Sequence, residues 1–178
     1  MSNEADVILI SGKAGSGKDT AATYLADKLG KTCILHFADM VKFIARQYMQ
    51  WDGNKDEYGR TLLQTLGTEI VRIEHNKPVY WAERVADIIE FTRNMGYLRY
   101  VISDLRFPNE VYYMKSRFPY TYAVRINRVN FENKLTPEQR KHDSETALDI
   151  FKFDYYITNS MLDVFKSGLD KMCDHFNF

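Results

Sequence analysis

Apolar positions along this 178-residue chain follow two alternating patterns. Short continuous runs are expected of strands buried on both faces. They are Val7-Ile8-Leu9-Ile10, Cys33-Ile34-Leu35-His36-Phe37, Tyr100-Val101-Ile102-Ser103, residues 121–127 and Tyr155-Tyr156-Ile157. Between them the apolar residues recur at helical spacing. A helix over 18–29 carries Ala21, Ala22, Leu25 and Leu29 on one side and stops at Gly30. Further helices are predicted over 39–48, over 60–75 on Leu62, Leu66, Ile70 and Ile73, and over 79–95 between Pro78 and Gly96. Pro108 opens a short helix, and the chain ends on one that starts near Met161. Strands alternating with helices need crossover connections. The expected fold is therefore a three-layer α/β/α arrangement, with about five parallel strands and helices on both faces.

Two stretches break the pattern. WDGNKDEYG (51–59) is polar and glycine-bearing and reads as a loop. VNFENKLTPEQRKHD (129–143) is charged and lacks apolar periodicity, as expected of a lid or flap. Without repeats or a dividing linker, residues 1–178 are expected to form one domain.

Composition narrows the function. Lysine plus arginine equal aspartate plus glutamate at 24 each, which argues against a general nucleic-acid binder. MSNEAD does not read as a signal peptide, and no apolar run nears the ~20 residues of a membrane helix. Two distant cysteines, Cys33 and Cys173, and four histidines give no zinc spacing. A cytoplasmic protein with reduced thiols, no membrane and no nucleic-acid partner is the expectation.

The chemistry lies in ISGKAGSGKDT (10–20). Gly12, Gly17 and Lys18 match G-x-x-x-x-G-K between a strand and a helix, the setting of a phosphate-binding loop. Glycines let the backbone of Gly12, Lys13, Ala14, Gly15, Ser16 and Gly17 curl, so that N–H groups converge on one anion. The helix N-terminus adds partial positive charge, and Lys18 supplies a mobile full charge for the outer phosphates. Asp19 stands where a serine or threonine usually gives its hydroxyl to Mg²⁺. Two replacements suggest themselves: Asp19 holding the metal through water, or Thr20 substituting from the next position. Asp104 ends the third strand, where ligands sit in open α/β sheets, and is placed to hold Mg²⁺ through water. Arg106, two residues on, suits a bidentate grip on a second phosphate. Arg60, Gln64, Thr68 and Arg72 form one polar stripe at spacing four, which by periodicity alone reads as a solvated face.

SGKDT, RTLLQTLGTE (60–69) followed by Trp81, SDLRFPNE (103–110), HDSETALD (142–149) and Ile157-Thr158-Asn159 occur in that order. Together they resemble the deoxynucleoside monophosphate kinases of the bacteriophage type, over nearly the whole chain. The resemblance implies transfer of a phosphoryl group from ATP, with Mg²⁺, to a deoxynucleoside monophosphate. It makes the aspartate after Lys18 a family variant and places an acceptor-binding helical region at about 38–95 and a lid at about 128–143. It implies that Asp39, Arg60, Gln64, Arg72 and Trp81 line the acceptor pocket, and that Thr158 and Asn159 lie near the donor's adenine. His142 and Glu145 belong at the lid's return, with no assigned chemistry. Trp81 suits either stacking on a base or anchoring the core. Arg125 and Arg128 close the fourth strand, Lys134, Arg140 and Lys141 populate the lid, and Arg128 is the transition-state arginine of choice. Other P-loop kinases, for dephospho-coenzyme A or phosphomevalonate, share the layout but fit RTLLQTLGTE and HDSETALD less well. A nucleotide switch would need a glycine soon after Asp104 and an N-K-x-D guanine reader, and neither is present. Monomer and homodimer are both compatible with this layout.

Overall fold

In the computed structural model, which describes residues 4–132 and 135–178, five strands form one parallel sheet in the order β2-β3-β1-β4-β5. They are β1 (Asp6–Ser11), β2 (Thr32–Leu35), β3 (Arg99–Leu105), β4 (Tyr120–Arg128) and β5 (Tyr155–Asn159). Alternation along β1 explains the layers. Val7 and Leu9 join a core with Tyr100, Ile102, Val41, Val85 and Ile89, on the side of α2 (Asp39–Tyr48), α4 (Tyr80–Arg93) and α5 (Pro108–Arg117). Ile8 and Ile10 face the other way, onto Ala21 and Leu25 of α1 (Lys18–Leu29) and Phe165 and Leu169 of α8 (Leu162–Phe176). A continuous apolar run is what a doubly covered strand requires.

Glycines close two of the helices as expected. Gly30 (φ 59°) and Gly96 (φ 90°) lie in the left-handed region that favours glycine. Both cysteines are free; Cys173 is buried and Cys33 half-buried. Among the described residues, no helix is long and apolar enough to cross a membrane.

Three expectations need correction. Residues 51–59 are not all loop. Trp51 is buried and its indole donates to the Asn54 carbonyl, while Asp56 caps α3 (Glu57–Gln64) by accepting from the Gly59 N–H. The helix predicted over 60–75 is α-helical only to Gln64 and continues as a π-helix over Thr65–Glu74. Its wider turn rotates Ile73 out to 63 % exposure, and Val71 packs against the core. The lid segment contains α6 (Pro137–Lys141), and α7 (Asp143–Thr146) begins at its last residue. Thr136 and Gln139 form a reciprocal capping box around Pro137, a signal legible in TPEQ. Lys134 lies outside the described residues.

Candidate functional site

At the C-terminal ends of β1, β2 and β3 lies a cleft of about 380 Å³, the crevice where a parallel sheet binds its ligands. One wall is the loop after β1. Gly15 (φ 77°) and Gly17 (φ 99°) turn the backbone through conformations a side chain would strain. A Cβ on Gly12 would stand 2.7 Å from the Ile126 carbonyl, so the loop also needs glycine for close approach. The Lys18 ammonium closes the loop on itself, donating to the carbonyls of Gly12 (2.8 Å) and Lys13 (3.0 Å). Burial, and then the charge of Arg106, lower its pKa to about 8. Glu145, Asp19 and Asp104 offset part of that repulsion, and an anion bound in the cleft would offset more.

Asp19 and Thr20 diverge. Asp19 faces the cleft, with its Oδ1 accepting from the Ser103 hydroxyl at 2.8 Å; Thr20 is exposed and not among the cleft residues. Asp104 reaches the cleft from β3, but both carboxylate oxygens are engaged. Oδ1 accepts from the Phe37 N–H (2.8 Å) and Oδ2 from the Ala38 N–H (3.0 Å). It fixes the turn between β2 and α2.

His36, in that turn, is a cleft residue that spacing gave no reason to single out. Its Nε2 lies 3.9 Å from Asp19 and its Nδ1 3.1 Å from Asp39. These carboxylates push its pKa from 6.5 up to about 9. Burial would raise the Asp39 carboxyl, but hydrogen bonds from His36 and Lys42 hold it at about 2. Asp39 thus stands behind His36 rather than in the cleft. The raised imidazolium stabilises the fold fully below pH 6.5, and this contribution is lost as pH rises towards 9. Lys18 acts in the opposite sense only above about pH 8, which leaves pH 6.5–8 to His36. Over that window we expect the loss of about 1 kcal/mol, or a fall of about 2–4 °C in unfolding midpoint, after allowance for solvent screening. Thermal melts of wild type and His36→Gln should show the slope in the first and not in the second.

Arg60, Gln64, Thr68 and Arg72 all line the cleft. The π-helix is the reason the stripe stays straight. Four residues of α-helix overshoot a turn by about 40°, whereas the wider π turn, bonded i→i+5, falls short of one. Arg72 is already engaged there: with Glu110 at 2.5 Å, with the Pro78 carbonyl, and over the Phe107 ring at 4.4 Å. Trp81 is 2 % exposed and its indole N–H donates to the Gly67 carbonyl. It borders the cleft while packing in the core, with little of its ring exposed.

Arg106 enters from the β3–α5 junction. Its Nη1 donates to Glu145 Oε1 (2.6 Å) and to the Ser144 carbonyl (3.2 Å). One arm of the fork is fixed by the segment carrying α7, and the others have no side-chain partner among the described residues. Glu145, at 7 % side-chain exposure, orients Arg106. His142 caps α7, its Nδ1 accepting from the Ser144 N–H. Lys13 donates to the Glu145 carbonyl and to Asp149, fastening the same segment to the loop.

The remaining candidates lie behind or beside the loop. Arg128 donates to the Gly15 carbonyl (2.8 Å) and stacks on Phe131, and it is not among the cleft residues. Asn159 donates to the Ser16 carbonyl (2.9 Å), bracing the loop from β5. Thr158 is exposed beside it. Glu110 and Ser103 are cleft residues that sequence reasoning missed. The first stands three residues into the helix opened at Pro108 and reaches back to the N–H groups of Arg106 and Phe107, a pattern readable in FPNE.

No family model matches this chain, and no curated protein sequence does. Solved structures do. A sugar kinase from Janibacter sp. is similar over 97 % of this chain and 95 % of its own, with a TM-score of 0.59 at 12 % identity. The APS kinase of Mycobacterium tuberculosis, solved with AMPPNP and APS, covers 98 % and 99 % with a TM-score of 0.54 at 10 % identity. Shikimate kinase from Aquifex aeolicus covers 96 % of each chain with a TM-score of 0.52 at 13 % identity. The chain has the fold of these P-loop kinases.

Proposed function

We propose that this protein transfers the γ-phosphoryl group of ATP to the phosphate of a deoxynucleoside monophosphate, giving the diphosphate. The observation that carries the reading is one cleft holding two anion grips, Lys18 on the loop and Arg106 opposite, close enough for Arg106 to depress the Lys18 pKa. The fold supports a phosphotransferase, and the motifs running from SGKDT to HDSETALD support this acceptor.

The chemistry asks little proton transfer of the protein. An acceptor phosphate with second pKa of roughly 6 is already largely dianionic near neutrality. Its oxygen attacks the γ-phosphorus while the bond to the bridging oxygen of ADP breaks, and the transition state is stabilised by charge and position. Lys18 exchanges its contacts with Gly12 and Lys13 for the outer phosphates of the donor. The other arms of Arg106 take the acceptor phosphate in line. Arg60 and Gln64 present hydrogen-bonding groups to the acceptor's base, Gln64 with both donor and acceptor atoms. Asp19, an oxygen donor whose Oδ2 has no partner among the described residues, fits Mg²⁺, which takes one or two carboxylates and completes its shell with phosphates and water. The ion would neutralise charge on the donor phosphates.

The test is ADP release with ATP and, separately, dAMP, dCMP, dGMP, dTMP, dephospho-coenzyme A and phosphomevalonate. We expect turnover with one or more deoxynucleotides. Turnover confined to a non-nucleotide acceptor would replace this reading with that of another small-molecule P-loop kinase.

A further inference from the structure

In P-loop enzymes the residue after the lysine carries a hydroxyl, and a nearby strand carries the carboxylate that works with it on Mg²⁺. Here the two chemical groups have changed places. The carboxylate is on the loop at Asp19, and the hydroxyl is on β3 at Ser103, with a hydrogen bond of 2.8 Å joining them. Ser103 is fully buried, so its hydroxyl has one service to perform: it fixes Asp19 Oδ1, which His36 also flanks at 3.9 Å. Oδ2 has no partner among the described residues, and the Asp19 side chain is 84 % exposed at the cleft edge. Asp104, the strand carboxylate expected to serve the metal, commits both oxygens to the N–H groups of Phe37 and Ala38. Turning it onto a cation would weaken its hold on those donors.

We propose that Asp19 Oδ2 is the protein's direct ligand to the nucleotide-bound divalent cation, that Ser103 is its positioning residue, and that Asp104 is not a ligand. This rests on the nucleotide-binding reading above. It accounts for an aspartate after Lys18 without calling on Thr20. A single protein carboxylate suits Mg²⁺ and Mn²⁺, which keep several waters and share the site with phosphates.

The experiment titrates Mn²⁺ by electron paramagnetic resonance into the full chain with AMPPNP present, and involves no turnover. Ser103→Ala is expected to weaken Mn²⁺ by about 10-fold, within the range for a lost outer partner, and Asp19→Asn, a lost ligand, by about 100-fold or more. Asp104→Asn is expected to stay within about threefold of wild type, on the same scale. Because Asp19 is exposed, its variants should fold, and Asp19→Cys provides a signature of ligation: it should lose Mn²⁺ and gain the soft ion Cd²⁺. The assignment is overturned if Asp104→Asn causes the largest loss, if Ser103→Ala changes nothing, or if Asp19→Cys shows no turn towards Cd²⁺. If AMPPNP fails to enhance Mn²⁺ binding by the wild-type chain, the nucleotide-binding reading falls first, and this assignment with it.

Discussion

Lys18→Met is expected to reduce phosphoryl transfer by about 10³-fold or more while leaving the protein at least as stable as wild type. Removing one well-placed neutral donor from a transition state typically costs 10²–10³ in rate, and a full charge beside a transferring phosphoryl group stabilises it more strongly than a neutral donor does. A factor of 10³ corresponds to about 4 kcal/mol. Stability should move the other way because the ammonium is largely buried, and burial is the leading cause of its lowered pKa. Methionine keeps the length and removes the desolvation cost, offset by two carbonyls, of Gly12 and Lys13, losing a donor. Single-turnover rates and thermal melts on the same preparation separate the two effects. More than a tenth of wild-type turnover in the variant would mean that Lys18 does not meet the reacting phosphates.

What the sequence disclosed, and what it withheld, follows from how local the physics is. The run Val7–Ile10 leading into a glycine-spaced loop is a local code. Strand, loop and α1 stand where that code puts them, because each depends on neighbours a few residues away. The polar stripe of Arg60, Gln64, Thr68 and Arg72 was visible, but its cleft-facing position depends on a π-helix that propensity does not signal. Within that stripe, only long-range contacts show that Arg72 is committed to Glu110, 38 residues away. The same holds for Asp19 and Ser103, 84 residues apart. Each looks ordinary alone, and their exchange of roles exists only once β1 and β3 lie side by side. His36 escaped for a different reason: its neighbours in sequence form an apolar strand, and its charge is conferred by carboxylates from two other elements. Trp81 offered two readings, and burial selected the core.

The largest effect on folding is expected from Arg72→Met. Arg72 and Glu110 form an ion pair at 2.5 Å with side-chain exposures of 9 % and 1 %. Glu110 is held besides by the N–H groups of Arg106 and Phe107 at the start of α5. Burial raises the Glu110 pKa above the usual carboxylate value, and the Arg72 charge opposes that rise. Removing one partner of such a pair leaves the other charge uncompensated, at about 3–5 kcal/mol. For a chain of this size that is a fall of about 6–20 °C in unfolding midpoint. The pH dependence identifies the cause. Without Arg72 the Glu110 pKa rises further, so the carboxyl can take up a proton and the deficit should shrink as pH is lowered from 8 to 5. Glu110→Gln in the Arg72→Met background should recover part of the loss, since the amide oxygen still accepts from the two N–H groups. Such a structural tie also reaches the site. Glu110 holds the backbone of Arg106, and Arg72 leads from Glu110 to the helical stretch that carries Gln64 and Thr68 towards the cleft. A double variant that regains stability yet stays slow at saturating ATP would assign Arg72 a direct part in binding the acceptor. Recovery of both would assign it to the frame that aims Arg106.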